Sequence, residues 1–351
     1  MTSFPKFDDN GSFPLPENIE KSIYYDYYWK AYKALGKGFD IFEHLGFKNY
    51  TIKLVLDTLK LKMKAGLEVV NYPQLVDMYT QFLKPLNDYQ EDAFLIEKQF
   101  ALILEVKIIE HFSKEIFEQT DEKIRLRVCV TGPIELYIRE RGFMIYKDIA
   151  LRYATTVNRF LKNSLLDTKY IITETVALDE PSFGLTYLTN TNEDELIEIF
   201  DKSLEGIHVD NQIHLHTSNA YQIPLRTKNI GILMCEHSSD DSKPVPKQEL
   251  EDYDKFMRIG ICRTNLDNLF AEALEKGLSM EYLNTTDGLI SLIDSKERIK
   301  KVLLDGLNRY GDRLKYIGPD CALAGWGPPR VACSLLERVH EVIENVKKEW
   351  K

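Results

Sequence analysis

The sequence lacks long apolar runs and has few of the residues that mark fibrous or disulfide-stabilised proteins. No apolar run reaches the length of about 18 residues that a membrane-spanning helix needs, so no membrane association is expected. With 18 glycines and 13 prolines in 351 residues, the chain is not collagen-like or low in complexity. The five cysteines are odd in number and widely separated, which argues against a disulfide framework.

Two further absences bear on location and partners. The first ten residues contain no basic stretch followed by an apolar core, so a secretory signal is not expected. The scattered cysteines are expected to stay reduced, which favours a cytoplasmic protein. Basic residues are outnumbered, with 45 Lys and Arg against 55 Asp and Glu and a net charge of -10. A nucleic-acid-binding protein needs a basic face, so nucleic acid is not expected as a partner.

Short runs rich in Val, Ile and Leu alternate along the chain with stretches of helical periodicity. The runs lie at 7–13, 67–73, 125–130, 170–181, 212–216, 230–236, 257–262 and 314–318. Helices are predicted at 93–112, 146–165, 193–206 and 334–350. Eight strands alternating with helices favour an α/β protein with a parallel (β/α)8 TIM barrel. An open doubly wound sheet is less favoured because no Gly-x-Gly-x-x-Gly motif follows a strand.

The chain is interpreted as one domain over residues 1–351, because no linker divides it. The polar segment 238–246 is read as a loop within that domain. Residues 1–48 are predicted to form an N-terminal extension that carries the first strand and an aromatic-rich helix around 24–29.

Polar side chains with catalytic or metal-binding chemistry follow four of the predicted strands. They are Asp179 and Glu180, His214 and His216, Glu236, and Cys321. In (β/α)8 barrels the active site lies at the carboxyl ends of the strands, so these groups are expected to converge. His216, Glu236 and Cys321 offer nitrogen, oxygen and sulfur donors that suit Zn²⁺, and their wide separation excludes a zinc finger. The opposing interpretation is that each residue caps the helix that follows it.

Several motifs in order resemble one family. Residues 11–16 read Gly-Ser-Phe-Pro-Leu-Pro, 130–133 read Val-Thr-Gly-Pro, 178–181 read Leu-Asp-Glu-Pro, and 318–323 read Gly-Pro-Asp-Cys-Ala-Leu. Together with 66–70 and 213–216, these segments resemble the catalytic barrel of cobalamin-independent methionine synthase and its short single-domain relatives. That family belongs to the superfamily shared with uroporphyrinogen decarboxylase.

The resemblance implies a zinc-dependent methyltransferase that methylates a small thiol such as homocysteine. It implies His216, Glu236 and Cys321 as zinc ligands. It places Ser12, Gln74 and Asp179 against the thiol substrate, with Asp179 and His214 in catalytic or substrate-contact roles. The half that helps full-length relatives bind folate is absent from this sequence, so a methyl-corrinoid, free or on a corrinoid protein, is favoured as donor over methyl-folate.

Two residues depart from the family pattern and keep alternatives open. Ser218 stands where the family has a ligand cysteine. Gln74 falls near the position at which the family has a glutamate that holds the homocysteine ammonium. Cys235 is not expected to replace that cysteine, since strand neighbours such as Cys235 and Glu236 point to opposite faces. One alternative is a metal-free, decarboxylase-like enzyme that uses Asp179, Glu180 and His216 as acid–base groups. The other is a non-catalytic protein that only binds a corrinoid, a thiol or a partner protein.

Overall fold

The chain folds around a barrel of parallel strands. The computed structural model describes residues 4–238 and 244–350, so residues 239–243 of the predicted loop at 238–246 lie outside the described residues. The barrel strands are β1 (Lys6–Phe7), β2 (Val70–Asn71), β3 (Ile124–Thr131), β4 (Ile171–Asp179), β5 (Asp210–Leu215), β6 (Ile232–Cys235), β7 (Phe256–Cys262) and β8 (Leu314–Pro319).

Parallel pairing runs without interruption from β2 through β3, β4, β5, β6, β7 and β8 to β1. The two end strands also meet, because Asp8 and Val69 form a parallel bridge. The backbone amides of Glu68 and Val69 both donate to the carbonyl of Phe7, each at 3.0 Å. The predicted (β/α)8 fold is therefore confirmed.

Helices surround the barrel and connect its strands. They are α1 (Lys21–Gly36), α2 (Leu45–Phe47), α3 (Lys53–Lys64), α4 (Thr80–Asp88), α5 (Leu104–Thr120), α6 (Pro133–Arg141), α7 (Lys147–Lys162), α8 (Glu193–Ser203), α9 (Gln222–Leu225), α10 (Lys247–Asp252), α11 (Leu266–Glu275), α12 (Met280–Leu283), α13 (Thr286–Leu292), α14 (Lys296–Tyr310) and α15 (Pro329–Glu349). A π-helical turn, Lys48–Ile52, precedes α3, and 3₁₀ turns occupy Lys98–Phe100 and Gly311–Arg313. None of the described helices is long and apolar enough to cross a membrane.

Local sequence explains where these helices begin and which face they bury. Asn192 caps α8 by accepting a hydrogen bond from the Glu195 amide at 2.9 Å, and the Glu195 carboxylate accepts from the Asn192 amide at 3.2 Å. This reciprocal pair satisfies two amide groups that the first turn leaves free. In α15, residues at three- and four-residue spacing, including Val331, Leu335 and Val339, are fully buried.

The helix predicted at 93–112 is wrong over its first half. Gln90–Asp92 and Leu95–Ile96 form a small antiparallel hairpin, and α5 begins only at Leu104. Thr156 of α7 holds the hairpin, since its hydroxyl donates to the carbonyl of Phe94 and accepts from the amide of Ile96. The spaced apolar residues of this first half are still buried, but they are buried by a hairpin and a turn and not by a helix. Their four-residue spacing therefore did not indicate a helix.

The barrel interior contains a layer of buried charge. Asp8 accepts from Arg127 at 2.6 Å and from Arg258 at 2.9 Å, and all three side chains are fully buried. Arg127 also donates to Gln212 at 2.7 Å. Barrel interiors are packed with side chains from alternate strands. Here the packing includes two guanidinium groups that share one carboxylate.

Candidate active site

Two imidazoles and a thiol meet at the carboxyl ends of the strands. His214 lies in β5 and His216 just beyond it, so the two-residue period of a strand turns both to one side. Cys321 follows β8, and its amide donates to the Thr264 hydroxyl at 3.0 Å. The Cys321 Sγ lies 3.5 Å from Nε2 of His214 and 3.5 Å from Nε2 of His216.

The three donor atoms lie within 4.8 Å of one another, which is a spacing that a single metal ion can bridge. Two histidines and a cysteine match the catalytic zinc pattern, in which three protein ligands leave a fourth position for substrate or water. The donor set therefore fits zinc.

Two carboxylates flank the imidazoles. The Oε1 of Glu236 lies 3.6 Å from Nδ1 of His216, the ring nitrogen that does not face Cys321. Metal-bound histidines commonly direct their second nitrogen to a carboxylate, so Glu236 is placed to orient His216. The Oδ1 of Asp179 lies 3.9 Å from Nε2 of His214 and accepts no hydrogen bond within the described residues.

Burial dominates the electrostatics of the site. It places the pKa of His214 well below its usual value, helped by His216 and by the barrel cations Arg258 and Arg127. Burial also lowers the pKa of His216. Both rings are therefore neutral near pH 7 and keep the lone pair that a metal ligand needs.

The acids respond in the opposite direction. Burial raises the pKa of the Cys321 thiol well above its usual value, and the charges of Asp179 and Glu236 add to that effect. Burial raises the pKa of Asp179 to about 7, with Glu135 adding and Arg127 opposing. Asp179 therefore changes charge near neutral pH, which suits a group that takes up or releases a proton.

The site forms the floor of a cavity of about 590 Å³. Ser12, Gln74, Asp179, His214, His216 and Cys321 all line it. Glu236 instead lines a separate space of about 160 Å³, together with Ser218 and Cys235. The predicted substrate-contact and catalytic residues thus share one cavity, whereas Glu236 reaches the cluster through the far side of His216.

The N-terminal extension supplies the outer wall of this cavity. Residues between β1 and α1, including Phe13, Pro14 and Leu15, line it, as does Tyr25 of α1. The Tyr25 hydroxyl accepts a hydrogen bond from the Asp77 amide at 3.2 Å, which ties α1 to the loop after β2. The cavity consequently combines a polar floor with an apolar upper wall.

Glu180 has a structural role. It is fully buried, and its two oxygens accept hydrogen bonds from the amides of Ile134 at 3.0 Å and Glu135 at 2.7 Å, at the start of α6. A carboxylate at this position satisfies free amides and interacts favourably with the helix dipole. Glu180 does not line the 590 Å³ cavity, so its predicted part in acid–base chemistry finds no support.

Comparison with known proteins identifies structural relatives only. No protein-family model matches the chain, and no curated protein sequence matches it. A solved B12-independent methionine synthase from Shewanella sp. W3-18-1, in complex with selenomethionine, superimposes with a TM-score of 0.59 at 16% identity, covering 99% of each chain. A methyltransferase from Methanosarcina mazei gives a TM-score of 0.52 at 11% identity, covering 98% of this chain and 95% of the other. At these identities the likeness shows the fold.

Sequence reasoning missed the charged groups beneath and behind the cavity. Arg127 and Arg258 each interrupt an apolar strand run, and a charge inside such a run signals a buried partner. Glu105 and Gln81 sit at ordinary helical positions, where a polar residue gives no such signal. Their connection to the site depends on how α4 and α5 pack.

Proposed function

We propose that this protein is a zinc-dependent enzyme that transfers a methyl group to a small thiol. The observation that carries the proposal is the convergence of His214, His216 and Cys321 on one point at the floor of a cavity. Two solved proteins that share the fold are a methionine synthase and a methyltransferase, which agrees with this chemistry.

We propose His214, His216 and Cys321 as the metal ligands, with Glu236 orienting His216. This differs from the set His216, Glu236 and Cys321 that the family resemblance implies. The contact of Glu236 with Nδ1 of His216, rather than with the shared point, favours the first set. It also accounts for Ser218, because His214 supplies the donor that a second cysteine would have given.

Zinc held by His214, His216 and Cys321 would lower the pKa of a bound thiol and so make its thiolate available at neutral pH. Asp179, with its pKa of about 7 and its unpaired buried oxygen, takes the proton that the thiol releases. The new sulfur–carbon bond then forms as the carbon–donor bond breaks, and the electron pair of the broken bond stays with the donor. Ser12 and Gln74, on the cavity wall, contact the remainder of the acceptor.

We propose a methyl-corrinoid as donor, in preference to methyl-folate. A corrinoid macrocycle is much broader than a small thiol, so it approaches from the cavity mouth, either free or on a carrier protein. Incubation with methylcobalamin and a panel of small thiols tests this, with thioether formation as the readout. Thioether formed from methyl-folate alone would overturn the choice of donor and keep the acceptor chemistry.

The metal assignment is tested by zinc analysis of the purified protein and its variants. We expect about one zinc per chain in the wild type, loss of zinc in His214→Asn and Cys321→Ser, and retention in Glu236→Gln. Cys333→Ser is the matched control, since Cys333 is a buried cysteine in α15 outside the cavity. Zinc retained by His214→Asn and lost by Glu236→Gln would favour the alternative ligand set. No zinc in any sample, even after zinc addition, would overturn the metal mechanism.

A metal-free reaction is the second candidate, and the near-neutral pKa of Asp179 favours it. In that case Asp179 and His216 act as acid–base groups of a decarboxylase-like enzyme. Activity that survives exhaustive chelation distinguishes this candidate from the zinc enzyme.

A further inference from the structure

The cavity above the proposed metal ligands is larger than a short thiol requires. Its volume of about 590 Å³ lies within the range of about 300–1,000 Å³ in which proteins enclose ligands the size of a drug molecule. The three donor groups and Asp179 occupy only its floor. The lining above them is therefore available to a further part of a bound molecule.

One side of this upper lining is apolar. It is formed by the connections that follow β8, β1 and β2, which are neighbouring strands of the barrel. Its side chains include Leu15, Ile19, Val76, Met78 and Ala324. Leu15, Ile19 and Met78 are only partly buried, so a molecule in the cavity can remove more of their apolar surface from water.

Backbone hydrogen bonds join these three connections into one wall. The amide of Phe13 donates to the carbonyl of Gln74 at 3.2 Å, and the amide of Leu323 donates to the carbonyl of Ser12 at 2.9 Å. Ser12 and Gln74 also form a parallel bridge. Because the wall is already held in place, a ligand gains its contacts without first ordering the chain.

The charged side chains of this wall lie at its outer edge. Among the described residues that line the cavity above the floor, they are Glu17, Lys21 and Asp77, and all three are exposed. The apolar side chains consequently form a band between a polar floor and a charged rim. A polar atom placed against this band would lack a hydrogen-bond partner, and burial of such an atom is unfavourable.

We propose that the acceptor is a thiol with an apolar arm, whose sulfur lies at the floor and whose arm lies along Leu15, Ile19 and Met78. The wall occupies one side of the cavity, so the arm leaves the side of Pro181 to the methyl donor. This inference rests on the proposed function for its thiol and for the methyl transfer.

Three thiols with the same two ends test the proposal. The arm has two carbons in 2-sulfanylethanol and five in 5-sulfanylpentan-1-ol. In 2-(2-sulfanylethoxy)ethanol the arm has the same length as in the pentanol, with an oxygen in place of the central methylene. Each thiol is titrated into zinc-loaded protein in a calorimeter.

We expect the affinity to follow the apolar length of the arm. Each methylene that the wall buries tightens binding about threefold, so 5-sulfanylpentan-1-ol should bind tenfold or more tightly than 2-sulfanylethanol. The ether should bind about tenfold more weakly than the pentanol of equal length, because its oxygen has no partner on the band. The heat-capacity change of binding should be most negative for 5-sulfanylpentan-1-ol, since burial of apolar surface has that sign.

Variants of the wall locate the arm. Leu15→Asn and Ile19→Asn each put a polar side chain on the band, so the ratio of the affinities for the five-carbon and two-carbon thiols should fall threefold or more. Leu185→Asn is the matched control and should keep the wild-type ratio, because Leu185 is 60% exposed in the connection after β4 and is not part of the lining. A change that weakens both thiols equally leaves this ratio unmoved.

The results separate the inference from the proposed function. Equal affinities of wild type for the three thiols would overturn the apolar arm and leave the thiol methyltransferase standing. A wild-type ratio in both wall variants, or an equal fall in Leu185→Asn, would also overturn it. If zinc-loaded wild type binds none of the three thiols, the proposed function itself is wrong.

Discussion

At the scale of single residues, the types of functional group were predictable from sequence, but the pairing between them was not. His216 and Cys321 were expected at one site because each follows a strand of the same barrel. Whether His214 or Glu236 joins the proposed ligand set depends on where the Glu236 side chain points and on which ring nitrogen of His216 it contacts. A period-two pattern places His214 beside His216 but gives no distance to Cys321.

Glu105 provides a residue-scale prediction about pH. Its pKa is raised from 4.5 to about 7 by burial, so the stability linked to its protonated form is complete below pH 4.5 and is lost as the pH rises through 7. Glu105→Gln stays neutral throughout. The variant should therefore gain stability relative to wild type between pH 4.5 and pH 8, by up to about 3 kcal/mol for this pKa difference.

Urea denaturation of both proteins across this pH range measures the effect. Taking the difference between the two proteins cancels the contribution of other titrating groups, including Asp179. A difference that stays constant with pH would show that the Glu105 carboxyl titrates normally.

At the scale of elements, strands were more predictable than helices. All eight predicted runs overlap barrel strands or their immediate flanks, because strands of a parallel sheet are buried on both faces and read as apolar runs. The error at 93–103 arose because a hairpin held by Thr156 buries the same apolar residues that a helix would. The hydroxyl contact comes from a helix 60 residues away, and no local pattern reports it.

The junction of β3 and α6 gives a prediction at this scale. Gly132 precedes α6, and a Cβ built there would lie 2.1 Å from the Glu180 carboxylate that caps the helix. Gly132→Ala should therefore displace the cap and destabilise the protein by about 1–3 kcal/mol, as overpacking does. Gly231→Ala is the control, since its nearest neighbour would be 3.8 Å away. Equal urea midpoints for the two variants would show that Glu180 moves aside without cost.

At the scale of the whole molecule, the barrel closes around a charge cluster as well as an apolar core. Asp8 follows β1, the weakest of the predicted strands, and joins it to Arg127 of β3 and Arg258 of β7. Sequence alone could mark the two arginines as unusual but could not say which acid they share. That pairing exists only once the sheet has curved round on itself.

Asp8→Ala tests how much closure depends on this cluster. The change leaves two buried guanidinium groups without their carboxylate, so we expect a loss of about 3–5 kcal/mol in the free energy of unfolding. Asp26→Ala, which removes an exposed partner of Lys30, should cost less than about 1 kcal/mol. A similarly small loss for Asp8→Ala would show that solvent or rearrangement compensates the arginines.

The segment between β1 and α1 forms a wall of the cavity, whereas the reacting groups come from other parts of the chain. The size of the molecule that enters and the chemistry performed on it therefore depend on different residues. The imidazoles and the thiol lie in barrel strands or directly after them, whereas Phe13, Pro14 and Leu15 belong to a connection outside the eight strands. Changes in that connection can admit bulkier or slimmer molecules without disturbing the reacting groups. Proteins that share this fold can therefore differ in the size of the substrate they accept and keep the same reacting groups.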